Sequence, residues 1–187
     1  MRAAQISRFG APDVFQLVDQ PKPVPQPGQL LVKVRASGIN FSETLMRENR
    51  YAITPALPCV LGSEVSGLVE DPNGCPGWIR GQRVAAPLFA SGQLYGGYAE
   101  YVVADASKAA PIPDGIADDV ACALQVQGLT ALALARHVNV SGQTVLVSAA
   151  AGGVGTLLLQ LLKQAGARRV IAAASSPAKR ALAKTLG

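Results

Sequence analysis

The segment Ala149–Gly155 (AAAGGVG) has the composition of a loop that lets backbone meet a phosphate. A strand-to-helix turn that holds a pyrophosphate needs glycine at three places: where the turn closes, where backbone approaches the anion, and where the helix packs on the strand. Ala150-Ala151-Gly152-Gly153-Val154-Gly155 follows that GxGxxG spacing, with Ala150 in place of the first glycine. Gly152 is then the point of approach and Gly155 the point of close packing. Ala151, Gly153 and Val154 complete a run whose N–H groups face the anion at the start of the helix. Without its surroundings the segment is only a glycine-rich connection. Its position after TVLVS and before a helix with an apolar face gives it the strand–loop–helix context that the chemistry requires.

The next strand indicates which nucleotide would fit. Folds that bind NAD usually end it with an acid for the ribose 2′-hydroxyl. Here it ends Ala173-Ala174-Ser175-Ser176, and no acid follows. Two hydroxyls, helix N–H groups and Lys179 or Arg180 would instead meet a 2′-phosphate. The expected cofactor is NADPH, held by Ala151–Gly155, Ser175, Ser176 and Lys179. Ser175 and Ser176 also suit a helix cap, and the two roles are compatible.

These residues need elements to position them. Thr144–Ser148 reads as a short buried strand, Thr156–Ala165 as a helix, Val170–Ala174 as a second strand and Ser175–Leu186 as a second helix. Ser-Ser-Pro supplies an N-cap and a proline near the first helical turn. This β-α-β-α order is the first half of a doubly wound parallel sheet, an α/β class. Upstream the texture differs. Gln29–Ser37, Glu64–Glu70, Arg83–Pro87 and Tyr98–Ala104 read as strands punctuated by Pro and Gly, the pattern of an irregular β barrel or sandwich. Phe41–Arg47 is the one clear helix there. Ile116–Leu124 and Thr130–His137 are Ala-rich and helical. The expected division is residues 1–122 and 123–187.

Composition excludes several classes. At 187 residues and 49% hydrophobic the chain is not disordered. Its apolar runs are too interrupted for a membrane span, and MRAAQISRFG lacks a signal-peptide core. Cys59, Cys75 and Cys122 are widely spaced, which points to a reducing, cytoplasmic setting rather than a disulfide framework. With one His and no Cys pair, no metal site is expected. The charge is uneven. All 12 acids lie at or before Asp119, whereas residues 120–187 carry seven bases and no acid. A basic half of this kind suggests an anionic partner. Nucleic acid is the weakest choice, because the bases are dispersed along the sequence and only 5% of residues are aromatic.

In PGQLLVKVRASGIN (Pro27–Asn40), PCVLGSEVSGLVE (Pro58–Glu70), GGYAEYVV (Gly96–Val103), QGLTA (Gln127–Ala131) and AAAGGVG, the sequence resembles the medium-chain dehydrogenase/reductase superfamily. The branch it resembles is that of the zinc-free, NADPH-dependent quinone oxidoreductases. The resemblance implies a GroES-like β-rich domain followed by a Rossmann domain, with the active site in the cleft between them. It implies that Asn40 and Tyr51 line that cleft as catalytic residues and that Thr130 meets the nicotinamide end. Asn can donate to a developing oxyanion and Tyr can supply a proton. Each also has a plainer role open to it: Asn40 closing a turn, Tyr51 packing its ring, Thr130 starting a helix. Zinc-dependent relatives place Cys near Asn40 and His at Ser63; this sequence has neither.

Chains of that family are considerably longer, so the resemblance implies that the second Rossmann half lies outside this sequence. The expected activity is hydride transfer from NADPH to a quinone or α,β-unsaturated carbonyl without zinc. The alternative is a catalytically silent fragment that binds nucleotide weakly or acts through a partner chain. Expected partners are a small-molecule quinone or enone, with no nucleic acid and no membrane, and room for a homo-oligomer.

Overall fold

QLLVKVRAS (Gln29–Ser37) alternates well enough to place Leu30 and Val32, both 0% exposed, on one face of a strand. Around that strand the first part of the chain is built. The computed structural model describes all residues, Met1–Gly187, in two units, Met1–Gln125 and Val126–Gly187.

The first unit contains strands β1 (Arg2–Ile6), β2 (Phe15–Asp19), β3 (Gln29–Ser37), β4 (Cys59–Val60), β5 (Val65–Asp71), β6 (Arg83–Ala86), β7 (Tyr101–Asp105) and β8 (Ala110–Pro111). Five of them form an antiparallel sheet in the order β7-β3-β5-β6-β8, and β2-β1-β4 form a second sheet. Leu30, Val32, Val65, Val69, Val84 and Val102 make one core. Ile6, Val14, Met46 and Leu61 make another. Helix α1 (Phe41–Arg47) begins at Asn40, which forms a capping box with Glu43, and gives way at Asn49, whose φ is 55°. Helix α2 is Asp118–Ala123. The sequence reading missed β1, β2, β4 and β8, which are short or lie among Pro, Gly and polar residues.

In the second unit α3 (Leu129–His137), β9 (Thr144–Val147), α4 (Gly153–Gln164), β10 (Arg169–Ala172) and α5 (Pro177–Leu186) follow one another. A π-helical turn at Leu124–Gly128 precedes α3. Strands β9 and β10 pair in parallel from Thr144 with Arg169 to Val147 with Ala172. The mixed α/β architecture and the β-α-β-α half of a doubly wound sheet are both present. Val147, Ala150, Leu159, Leu162 and Ala183 form its core.

Several expected boundaries move by one to three residues, and two of them bear on the nucleotide site. Helix α4 starts at Gly153 rather than Thr156, because Gly152 takes an extended conformation (φ −84°, ψ 174°) and serves as N-cap. Strand β10 stops at Ala172, leaving Ala173 and Ala174 in the loop beyond it.

Helix α2 is fastened to the large sheet through Asp118. Its carboxylate accepts from Arg83 Nη2 at 2.8 Å and from Arg35 Nη1 at 3.2 Å, and its carbonyl accepts from Ser66 Oγ at 2.5 Å. Partial burial raises the carboxyl's pKa, but the hydrogen bonds from Arg83 and Arg35 outweigh it and hold the group below its usual range. A depressed pKa contributes stability above the unfolded value, and that contribution is lost as pH falls through the folded value. Asp118→Asn is expected to cost about 1–3 kcal/mol at neutral pH. In denaturant titrations its gap from the parent should close below about pH 4. A gap that persists there contradicts this role.

Candidate nucleotide site and the Asn40 cluster

The turn from β9 into α4 depends on a close approach. A Cβ on Gly155 would lie 2.5 Å from the Ala149 carbonyl oxygen and 2.7 Å from Ala150 Cα. Only glycine lets the helix sit this close to the strand. The left-handed residue of the turn is Ala149, with φ 50°, where an L side chain costs about 1–2 kcal/mol. Ala150, the residue in the first-glycine position, is fully buried. The loop is tied across the strand ends: Ala150 N donates to Ala173 O at 3.0 Å, and Ala173 N to Val147 O at 2.9 Å.

A cavity of 470 Å³ opens beyond the carboxyl ends of the two strands, lined by Ala149, Ala151, Gly152, Ala173, Ala174, Ser175 and Lys179. A second, of 370 Å³, shares Ala149 and Gly152 and continues past Gly153, Val154 and Gly155 to Leu134, Leu146 and Leu158. Seen from this fold, the expected cofactor residues divide. Ala151, Gly152, Ser175 and Lys179 line the first cavity. Gly152, Gly153, Val154 and Gly155 line the second. Ser176 Oγ accepts from Lys179 N at 3.3 Å and caps α5. Thr130 is exposed on α3, its hydroxyl donating to Val126 O at 2.6 Å. Arg180 donates to Ala174 O at 3.1 Å. No carboxylate borders either cavity, and Gly152 leaves its approach clear. A dinucleotide with an extra phosphate therefore fits the residues present.

Ala149, Ala173 and Ala174, read in the sequence only as parts of the loop and the strand end, also line the first cavity. Sequence reasoning missed Gln127, whose carboxamide rests against Gly153 so closely that a Cβ there would displace it. Nothing in the spacing of Gln127 signals that contact.

In the first unit, Asn40 is buried and Tyr51 is 39% exposed. The Asn40 carboxamide donates to Glu64 Oε1 at 2.8 Å, and its backbone N–H donates to Glu43 Oε2. Glu43 Oε1 accepts from Ser63 N at 3.1 Å and from Ser63 Oγ at 2.6 Å. One buried carboxylate thus gathers Asn40 and Ser63. No group of three or more His, Cys, Asp or Glu side chains is arranged to hold a metal ion.

The surroundings are poorly hydrated. Burial, then the charges of Glu43 and Glu64, push the Tyr98 phenol up. Burial, then Glu64, pushes the Cys122 thiol up to about 12. Cys59 rises to about 11 by burial. All three cysteines are free and buried, and neither Cys59 nor Cys122 is poised as a nucleophile. No helix is long and apolar enough to cross a membrane.

The class follows from comparison with known proteins. Residues 26–114 match the alcohol dehydrogenase GroES-like domain. A quinone oxidoreductase of Pseudomonas aeruginosa is 38% identical over 186 residues, which is 98% of this chain and 55% of that protein. A mycobacterial protein solved in complex with NADPH is 39% identical with a TM-score of 0.89, covering 100% of this chain and 57% of that one. The quinone oxidoreductase of Thermus thermophilus, also solved with NADPH, is 39% identical with a TM-score of 0.85, covering 100% of this chain and 58% of that one. Over nearly its whole length the chain is thus similar to quinone oxidoreductases, and residues 26–114 match the alcohol dehydrogenase GroES-like domain. The chain spans about half the length of the relatives it matches.

The two loop glycines should separate in experiment. Gly155→Ala forces a methyl into backbone and is expected to destabilise the second unit by about 1–3 kcal/mol. At Gly152 the nearest atom to a Cβ is the Ala149 oxygen at 3.2 Å, so Gly152→Ala should stay within about 1 kcal/mol of the parent. Denaturant unfolding followed by circular dichroism checks the order, and the reverse order contradicts the packing argument.

Proposed function

We propose that this chain binds NADPH through its second unit and serves hydride transfer to a quinone or an α,β-unsaturated carbonyl, without zinc. The observation that carries the reading is the 470 Å³ cavity at the carboxyl ends of β9 and β10, which has Ser175 and Lys179 on its wall and no carboxylate. The start of α4 supplies N–H groups for the pyrophosphate. Ser175 and Lys179 supply a hydroxyl and a cation for the 2′-phosphate. The cofactor, when bound, supplies the hydride, so the chain's own work is to bind, orient and exclude water.

In this reading Asn40 polarises the substrate oxygen by hydrogen bonding, its carboxamide held in place by Glu64. Tyr51, partly exposed, delivers a proton. Thr130 contacts the nicotinamide end. Ser63, where the resemblance implies a His ligand in zinc-dependent relatives, and the lack of a Cys near Asn40 support a metal-free reaction, because a neutral hydroxyl is not a usual ligand for zinc.

The alternative reading is nucleotide binding without turnover.

Thermal unfolding should show a larger upward shift with NADPH than with NADH at equal concentration. Lys179→Ala should shrink the NADPH preference by about tenfold, the value of a charge-assisted hydrogen bond. Equal shifts for the two nucleotides, or a preference that the variant keeps, would sink the 2′-phosphate assignment. Consumption of NADPH with a simple benzoquinone separates the two readings, since turnover supports the first and binding without turnover the second.

A further inference from the structure

The nucleotide cavity uses only part of the charge in residues 120–187. Lys179 lines it, and Arg180 is turned onto the Ala174 carbonyl. Four of the remaining bases, dispersed in sequence, are gathered by the fold at the opposite end of the second unit, where the strands begin. Arg168 N and Arg169 N both donate to Gln143 O, at 2.9 and 3.2 Å, beside the first residue of β9. Gly142 N donates to Gly166 O at 2.8 Å, and Gly166 N to Lys163 O at 3.1 Å. These bonds bring the end of α4 to the same corner. Arg136 and His137 close α3 a short connection before Gly142. Arg136, Lys163, Arg168 and Arg169 are all exposed, and none takes part in the ion pairs of the structure. Val138 stands beside them, 59% exposed.

Cations at helix carboxyl ends complement the helix dipole, which accounts for Arg136 and Lys163. It does not account for an arginine pair leading into a strand, or for a unit without a single carboxylate. We propose that this end of the second unit docks on an anionic phospholipid bilayer.

Three features favour lipid over other polyanions. Residues 126–187 contain no aromatic residue, so there is no platform for unpaired bases. There is no carboxylate to answer the basic groups of a folded partner, whose interfaces match both signs. Val138 gains nothing from a phosphodiester backbone but can be buried at the boundary of headgroups and acyl chains. Four cations reach the lower end of the basic clusters that recognise anionic lipid. The inference uses residues remote from the nucleotide cavity and does not depend on the proposed reaction.

The test is sedimentation of the 187-residue chain with vesicles of phosphatidylcholine alone, or containing about one third phosphatidylserine. The chain should sediment only with the anionic vesicles and be released at about 0.5 M salt. Arg168→Gln with Arg169→Gln should weaken partition about tenfold or more. Lys33→Gln with Lys108→Gln, the same change of net charge placed in the first unit, should leave it unaltered. Val138→Asn, an exposed change that spares the core, should weaken it partially. Equal binding to both vesicles, retention by the Arg168/Arg169 variant, or equal weakening by the first-unit control would overturn the proposal. Salt-sensitive binding to duplex DNA with none to vesicles would overturn it as well. Circular dichroism of each variant confirms that the fold is intact.

Discussion

Helix α4 can begin where it does only because Gly155 presents no side chain to the backbone of Ala149 and Ala150. Everything at the candidate nucleotide site descends from that approach. It seats the helix against β9, turns the first N–H groups of α4 toward the strand ends, and forces the left-handed turn onto Ala149. The strand ends are then laced by Ala150 and Ala173, so that the loop after β10 faces the loop after β9. Ser175 and Lys179 reach the cavity because β10 stops at Ala172 and gives two alanines to the loop.

The first unit is organised by a different device. Glu43, buried in α1, accepts from the Asn40 backbone and from both the N–H and the hydroxyl of Ser63. Glu64 accepts from the Asn40 carboxamide. Several hydrogen bonds converging on buried carboxylates leave little freedom to their donors. The result is that the amide of Asn40 is held rather than mobile. Burial, with a smaller contribution from the charges of this cluster, raises the pKa of the Tyr98 phenol and the Cys122 thiol.

Much of this was legible in sequence because it rests on local rules. The spacing of Gly152 and Gly155, the Ser-Ser-Pro start of α5 and the alternation of Gln29–Ser37 each report a backbone requirement that few residues satisfy. The absence of acid after Asp119 is a matter of counting. What escaped depends on contacts between residues distant in the chain. Ser63 and Glu43 are twenty positions apart, and their bond follows from the packing of α1 on the loop before β5. The contact between Gln127 and Gly153 exists only once a π-helical turn has set the register of α3. Helix α4 started three residues early because a glycine cap outweighed the low helix propensity of the glycines that follow it. The dispersed bases of the second unit looked patternless until parallel pairing of β9 with β10 put the Arg168–Arg169 pair beside Gln143 at the start of β9.

The central claim is that the cavity beyond β9 and β10 recognises a 2′-phosphate. Equilibrium binding of 2′,5′-ADP and of 5′-ADP to the purified chain, by calorimetry, tests it with ligands that differ in that one group. The account predicts that 2′,5′-ADP binds about tenfold or more tightly. Equal affinities, or tighter binding of 5′-ADP, would contradict it.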